Sequence, residues 1–251
     1  MSVDHRPVLD LRGLGFEEGA VVVVTGAASG IGRATATLAA RSGLAVVGWD
    51  LDADRLAELG DAITADGGTC TGQVCDVTDE RSVADAWGAT AVIGVPRYLV
   101  NNAGPPNSAP LSYVDGLVQG AGSMAIVTET WLERHAEAAE AVTFTASTGA
   151  LLGTQNWYGP SKAAIAGYAR SVAARCGGRP RANTVAPGFT NTPRTAPWAD
   201  LATSIGQRNP MGRVGEAEEI ASVICFLLSP AASYVNGVLI PVDGGSLLTT
   251  G

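Results

Sequence analysis

Residues 21–32 read VVVVTGAASGIG, a β-branched run that turns directly into glycines at 26, 30 and 32. Four successive valines favour a strand buried on both faces, and helix-forming residues follow the last glycine at once. Glycine allows the tight turn and the close backbone approach, while the start of the next helix presents unpaired N–H groups and the positive end of its dipole. This is the geometry of a pyrophosphate site. A plain strand-to-helix connection is the alternative, and the Gly-x-x-x-Gly-x-Gly spacing straight after the first strand argues against it. A nucleoside triphosphatase loop is excluded, because no Lys-Ser or Lys-Thr follows Gly32.

Outward from this stretch, apolar runs alternate with Ala-rich segments of helical period. Strands are expected over 21–25, 45–49, 98–100, 141–145 and 182–185, with a last one at the edge over 238–241. Helices are expected over 33–41, 53–65, 82–87, 127–139, 161–175 and 217–228. Such alternation specifies parallel strands joined by right-handed helical crossovers, so the predicted fold is α/β, a doubly wound Rossmann sheet of about seven mainly parallel strands. The first 19 residues read as an N-terminal extension and 20–251 as one domain. In such sheets the ligand lies beyond the carboxyl ends of the strands. The proline loops at 105–110 and 187–197 both fall there.

With 251 residues, 46% of them apolar, the chain has the material for one large core. Its net charge of −8 is scattered rather than clustered, which argues against nucleic acid or an anionic membrane as partner. Four cysteines without a Cys-x-x-Cys pair, and only His5 and His135 beside them, suggest reduced structural thiols and no metal site. The N-terminal stretch lacks the apolar core of a signal peptide, and no run approaches the roughly 20 residues that span a bilayer. A cytoplasmic protein is expected.

Asp50 ends the second predicted strand, 24 residues after Gly26. A carboxylate there accepts bonds from adenosine ribose hydroxyls and repels a 2′-phosphate, so NAD is favoured over NADP. Arg33 is the opposing feature, able to reach such a phosphate or simply to face solvent. The chain holds one lysine, Lys162, against fifteen arginines. It stands four residues after Tyr158, on the same face of a helix. A tyrosine hydroxyl with its usual pKa of about 10 is a poor base at neutral pH, and a neighbouring cation favours its phenolate. A compact ammonium on a flexible stem suits that task better than a planar guanidinium. Pro160 between them is tolerated in a first helical turn.

TGAASGIG together with Asn101-Asn102-Ala103-Gly104, Tyr158-x-x-x-Lys162 and Pro187-Gly188 resembles the short-chain dehydrogenase/reductase family, over about residues 21–245. The resemblance implies a cofactor site built from Gly26, Ser29, Gly30, Ile31, Gly32, Asp50, Asp76, Val77, Asn102, Ala103, Gly104, Pro187, Gly188, Thr190 and Thr192, with Tyr158 and Lys162 on the nicotinamide ribose. It further implies Cys75, Asp76 and Val77 beside the adenine, Tyr158 as general acid/base, Lys162 as its modulator, and a serine that bonds the substrate oxygen. Ser147 fits the strand-end position of that serine. Thr145 better suits the family's usual loop length, Ser147 being only 11 residues before Tyr158, and Thr148 is a further option. Where the family commonly has an asparagine serving a proton relay, this chain has Gln119, with an amide but one more methylene.

Specificity is expected from loops around 105–119, 151–157 and 192–211, where Trp157, Trp198, Leu201, Ile205 and Met211 either line a largely apolar substrate pocket or pack the loops and an interface. Arg194 is the candidate for a substrate anion, or a solvated surface residue. The expected activity is interconversion of a small secondary alcohol and its carbonyl compound with NAD. The rival is a dinucleotide-binding sensor or scaffold that kept the fold. The resemblance also implies a homo-oligomer, tetramer or dimer.

Overall fold

The computed structural model describes residues 12–249; residues 1–11 of the expected extension, His5 among them, and residues 250–251 lie outside the described residues. In chain order the elements are β1 (Val21–Thr25), α1 (Gly30–Arg41), β2 (Ala45–Asp50), α2 (Ala53–Ala65), β3 (Thr69–Val74), α3 (Glu80–Ile93), β4 (Pro96–Asn101), α4 (Tyr113–Leu117), α5 (Ser123–His135) and β5 (Ala141–Thr145). Then follow α6 (Tyr158–Arg175), β6 (Arg181–Pro187), β7 (Thr190–Asn191), α7 (Ala199–Arg208), β8 (Gly215–Glu216), α8 (Ala217–Leu228) and β9 (Leu239–Val242). Seven strands form one parallel sheet in the order β3-β2-β1-β4-β5-β6-β9, and β7 pairs only with β8. The order reverses between β1 and β4, which are neighbours, so the crevice expected of a doubly wound sheet opens beyond Thr25 and Asn101.

The four valines of β1 serve two cores, because successive side chains of a strand point to opposite faces. Val22 and Val24 join Val46, Ile220, Ile224 and Leu227, so this face is covered by α1 and α8. Val21 and Val23 join Trp49, Trp87, Trp131 and Ile165, beneath α3, α5 and α6. Each of these three tryptophans finds an acceptor: Trp49 Nε1 donates to Thr90 Oγ1 at 3.2 Å, Trp87 Nε1 to the Val127 carbonyl at 3.2 Å and Trp131 Nε1 to the Pro96 carbonyl at 2.9 Å. Their large apolar area is therefore buried without an orphaned donor.

Differences from the sequence expectation have local causes. Strand β3 was not expected: its TCTGQV is polar and half exposed because it forms the sheet edge. α1 starts at Gly30, since the last two motif glycines lie in its first turn. α3 runs from Glu80 because Asp79 caps it, accepting from the N–H groups of Arg81 and Ser82. α6 starts at Tyr158, three residues earlier than expected. Between α4 and α5 the backbone passes through a π turn over Val118–Gly122, which contains Gln119. Such turns mark interrupted helices, and they often lie at functional sites.

The buried Arg181 closes the other end of α8. Its guanidinium donates to the carbonyls of Leu227 at 2.8 Å, Leu228 at 3.0 Å, Ser229 at 2.9 Å and Val235 at 3.3 Å. It satisfies the last-turn acceptors and meets the negative end of the helix dipole. Arg181→Met leaves those carbonyls unpaired, so a loss of about 2–4 kcal/mol is expected in urea unfolding. A change below about 0.5 kcal/mol would remove this assignment.

Candidate active site

The Gly-rich turn is shaped by exclusion. Gly26 has φ +68°, and a Cβ on Gly32 would stand 1.9 Å from the Gly26 carbonyl oxygen, so neither position tolerates a side chain. Ser29 precedes α1 without using its side chain as a cap, which leaves its hydroxyl and the first-turn N–H groups facing the crevice. Asp50 binds the turn from β2: Oδ2 accepts from the Ala28 N–H at 2.9 Å, and Oδ1 from Leu51 at 2.8 Å and Asp52 at 3.2 Å. Asn102 joins the ends of β1 and β4. Its N–H donates to Thr25 Oγ1 at 3.0 Å and its amide to the Thr25 carbonyl at 3.2 Å.

Two cavities lie along this crevice. The first, about 500 Å³, is lined by Gly26, Ser29, Gly30, Ile31, Asp50, Asp76, Val77, Asn102, Ala103, Gly104 and Thr192, with Cys75 and Gln119 on its wall. The second, about 590 Å³, is lined by Thr145, Ser147, Thr148, Tyr158, Lys162, Pro187, Gly188 and Thr190. Ile31, Asn102, Thr192 and Arg194 border both, so the two form one continuous cleft. Gly32 lines neither, being buried inside the turn. A helix start with free donors at one point, a carboxylate at the end of β2 and a continuous cleft of this size fit an extended dinucleotide. The Thr190–Thr192 wall is held by a hydroxyl that the sequence reading missed: Thr195 Oγ1 donates to the Thr190 carbonyl at 2.7 Å and accepts from the Thr192 N–H at 3.0 Å.

Around the second cavity, Tyr158 at the start of α6 and Lys162 one turn on present the same face, and the ammonium lies 5.6 Å from the tyrosine ring centre. Lys162 is buried and donates to the Thr145 carbonyl at 3.1 Å, which fixes it beneath the end of β5. Burial, seconded by the charge of Arg194, pulls its pKa from 10.5 down to about 7. Burial also raises the Tyr158 hydroxyl, opposed by a hydrogen bond with Ser147 and by Arg194. Ser147 Oγ accepts from the Gly149 N–H at 3.1 Å, so its position is set by the turn after β5. Thr145 keeps a buried hydroxyl without a partner, among the described residues. Of the three hydroxyls, it is that of Ser147 that pulls the Tyr158 pKa down against burial.

Gln119 stands apart, on the first cavity's wall rather than in the cavity of Tyr158 and Lys162. Arg33 lines neither cavity: it lines an adjoining hollow that shares Gly30, Thr192 and Pro193 with the first, and it donates to the Arg55 carbonyl at 3.5 Å. Among the expected specificity residues, Trp198 and Ile205 line the second cavity, whereas Trp157 is buried and donates to the Ala109 carbonyl at 3.0 Å. Trp157 packs loop 105–119 against α6, and Leu201 and Met211 are exposed outside the cavity. Phe189 and Arg208, also in the wall, were not singled out from sequence. Phe189 adjoins Pro187-Gly188 and was legible there; Arg208 resembles any helix-end arginine. The described cysteines are free thiols, and burial raises Cys70 and Cys75 to about 11 and Cys225 to about 12, which keeps them protonated. No described helix is long and apolar enough to cross a membrane.

Fold and cleft define a doubly wound α/β protein with a ligand crevice at the switch point of its sheet. A family model described as Enoyl-(Acyl carrier protein) reductase matches residues 26–246. The chain is 33% identical to a 3-oxoacyl-[acyl-carrier-protein] reductase of Pseudomonas aeruginosa, over 92% of this chain and 99% of that protein. It is 39% identical to the cis-4-hydroxycyclohexanecarboxylate dehydrogenase of Sinomonas cyclohexanicum, over 90% of this chain and 95% of the relative. A crystal structure of an actinorhodin polyketide ketoreductase variant with NADPH superposes with a TM-score of 0.83 at 25% identity, covering 92% and 98% of the two chains. The chain belongs to the short-chain dehydrogenase/reductase family of oxidoreductases, whose members use NAD or NADP.

Proposed function

We propose that the protein is an NAD-dependent oxidoreductase that interconverts a secondary alcohol and a ketone. The observation that carries this reading is the convergence of Ser147, Tyr158 and Lys162 on one cavity that opens into the Gly-rich crevice. A bound nicotinamide would accept hydride from the carbinol carbon, or return it. Gly26, Ser29, Gly30, Asp50 and Thr192 would hold the dinucleotide. In the oxidative direction Tyr158 Oη takes the hydroxyl proton while Ser147 Oγ donates to the substrate oxygen and keeps it beside the phenol. Where Lys162 still holds its proton, at about neutral pH and below, its buried ammonium favours the phenolate against the burial that raises the Tyr158 hydroxyl. In reduction the same phenol gives its proton to the carbonyl oxygen.

Purified protein mixed with NAD and a panel of secondary alcohols is expected to form NADH. No turnover with any of them, although the dinucleotide binds, would favour the second reading, a dinucleotide-binding sensor. The observation on that side is Gln119, which lines the other cavity and lies in the π turn.

Preference for NAD rests on Asp50, which faces the first cavity, and on Arg33, which does not. The ketoreductase structure was solved with NADPH, so the two dinucleotides make a direct contest. Asp50→Ala removes the acceptor of ribose hydroxyls and the charge that repels a 2′-phosphate, and should lower the NAD-to-NADP ratio of kcat/KM by roughly tenfold or more. An unchanged ratio would take that role from Asp50, whatever the loss in overall rate from its backbone bonds.

A further inference from the structure

The wall of the second cavity is cationic in a chain whose net charge is −8. Lys162, Arg194 and Arg208 line it, and no aspartate or glutamate does among the described residues. Neither arginine is paired with a carboxylate among the described residues. Arg194 spans the cleft to donate to the Gly104 carbonyl at 3.1 Å and borders both cavities, so its charge is shared with whatever occupies the first. Arg208 borders the second cavity alone. It ends α7, one turn beyond Ile205 and on the same face, and Trp198, just before the helix, lines the wall with them. Its Nε donates to the Ser204 carbonyl of its own helix at 3.3 Å, which leaves the two terminal nitrogens of the fork uncommitted among the described residues.

We propose that the substrate carries an anionic group, a carboxylate, besides its reacting alcohol, and that Arg208 pairs with it in the second cavity. The inference rests on the reading of that cavity as the site of alcohol oxidation. Phe189, Trp198 and Ile205 line the same cavity as Arg208, Ser147 and Tyr158, so its wall joins apolar surface to polar groups, which suits an alicyclic or aliphatic skeleton that carries an anion besides its alcohol. A guanidinium fork matches a carboxylate with two parallel N–H bonds, and a charge-assisted pair of this kind discriminates strongly against a neutral analogue. Such a site sorts substrates by charge, because attractive wall potential raises the local concentration of anions.

The test compares a hydroxycycloalkane carboxylate with its primary amide, in the wild type, Arg208→Gln and Arg208→Lys. The wild-type ratio of kcat/KM, acid over amide, should exceed one, and should fall roughly 10- to 100-fold in Arg208→Gln, with partial recovery in Arg208→Lys. Binding of the corresponding keto acid, followed by the quenching of tryptophan fluorescence, should weaken by the same factor and with added salt. An acid-to-amide ratio that is unchanged in Arg208→Gln overturns the role of Arg208 while leaving alcohol oxidation intact. Turnover of neutral secondary alcohols only, with the acids refused, overturns the carboxylate itself. Failure of every alcohol, with either dinucleotide, overturns both this inference and the function on which it rests.

Discussion

Tyr158→Phe is expected to lower kcat for alcohol oxidation by about 100- to 10,000-fold, the range general acid–base catalysis commonly supplies, while NAD binds within a few-fold of the wild type. The change removes one oxygen and keeps the ring that starts α6, so folding should be retained. Its effect is confined to the proton: Ser147 would still be free to bond the substrate oxygen, but no hydroxyl would remain at position 158 to take the proton. Ser147→Ala should cost less, because the phenol keeps its proton chemistry and loses only a positioning contact. Steady-state rates together with dinucleotide titration separate the two. A Tyr158→Phe protein with more than about a tenth of wild-type turnover contradicts the assignment, since less than 1.4 kcal/mol of the barrier would then belong to the phenol.

Lys162→Met should move stability and activity in opposite directions. The folded-state pKa of Lys162 lies near 7, below its unfolded value of 10.5, and burial is the main cause. Below about pH 7 both states hold the proton and the full cost of a buried ammonium is present; between 7 and 10.5 the unfolded chain still binds the proton while the folded one has released it, so wild-type stability rises with pH. Lys162→Met abolishes this dependence. The variant is therefore expected to be the more stable of the two at pH 7 and below, by on the order of a few kcal/mol, with the difference shrinking across that window. Urea unfolding at several pH values checks it, and a pH-independent difference would show that the ammonium carries no burial penalty. Turnover should nevertheless collapse. Lys162→Arg should not restore it, because a longer, planar and permanently charged group does not fit a position sealed under the Thr145 carbonyl.

What could be read from the chain follows what its local physics repeats. β1 was legible because four valines with a glycine turn behind them have one use, and Tyr158 with Lys162 because a fixed helical spacing brings them together. β3 was not legible, since an edge strand with one exposed face carries polar residues and no strict alternation. α7 escaped notice because only one face of it meets the cavity, and Arg208 on that face gains meaning only from the fold, which brings it to the cavity that Ser147 and Tyr158 also line. Trp157 decides an alternative that residue types left open: an aromatic beside Tyr158 either lines a pocket or packs a loop, and here its indole N–H donates to the Ala109 carbonyl and its ring fills the space beside Gly116, where a Cβ would stand 2.6 Å away. The interruption at Val118–Gly122 is likewise a matter of backbone continuity, which residue types alone do not specify.

The most direct test of the account follows hydrogen rather than rate. A secondary alcohol deuterated at its carbinol carbon is incubated with the protein and NAD, and the reduced dinucleotide is isolated and analysed by mass and proton spectra. Hydride transfer in the cleft predicts one deuterium on the nicotinamide ring for each ketone formed, and none released to water. Deuterium recovered in the solvent, or ketone formed without label in the dinucleotide, would contradict it.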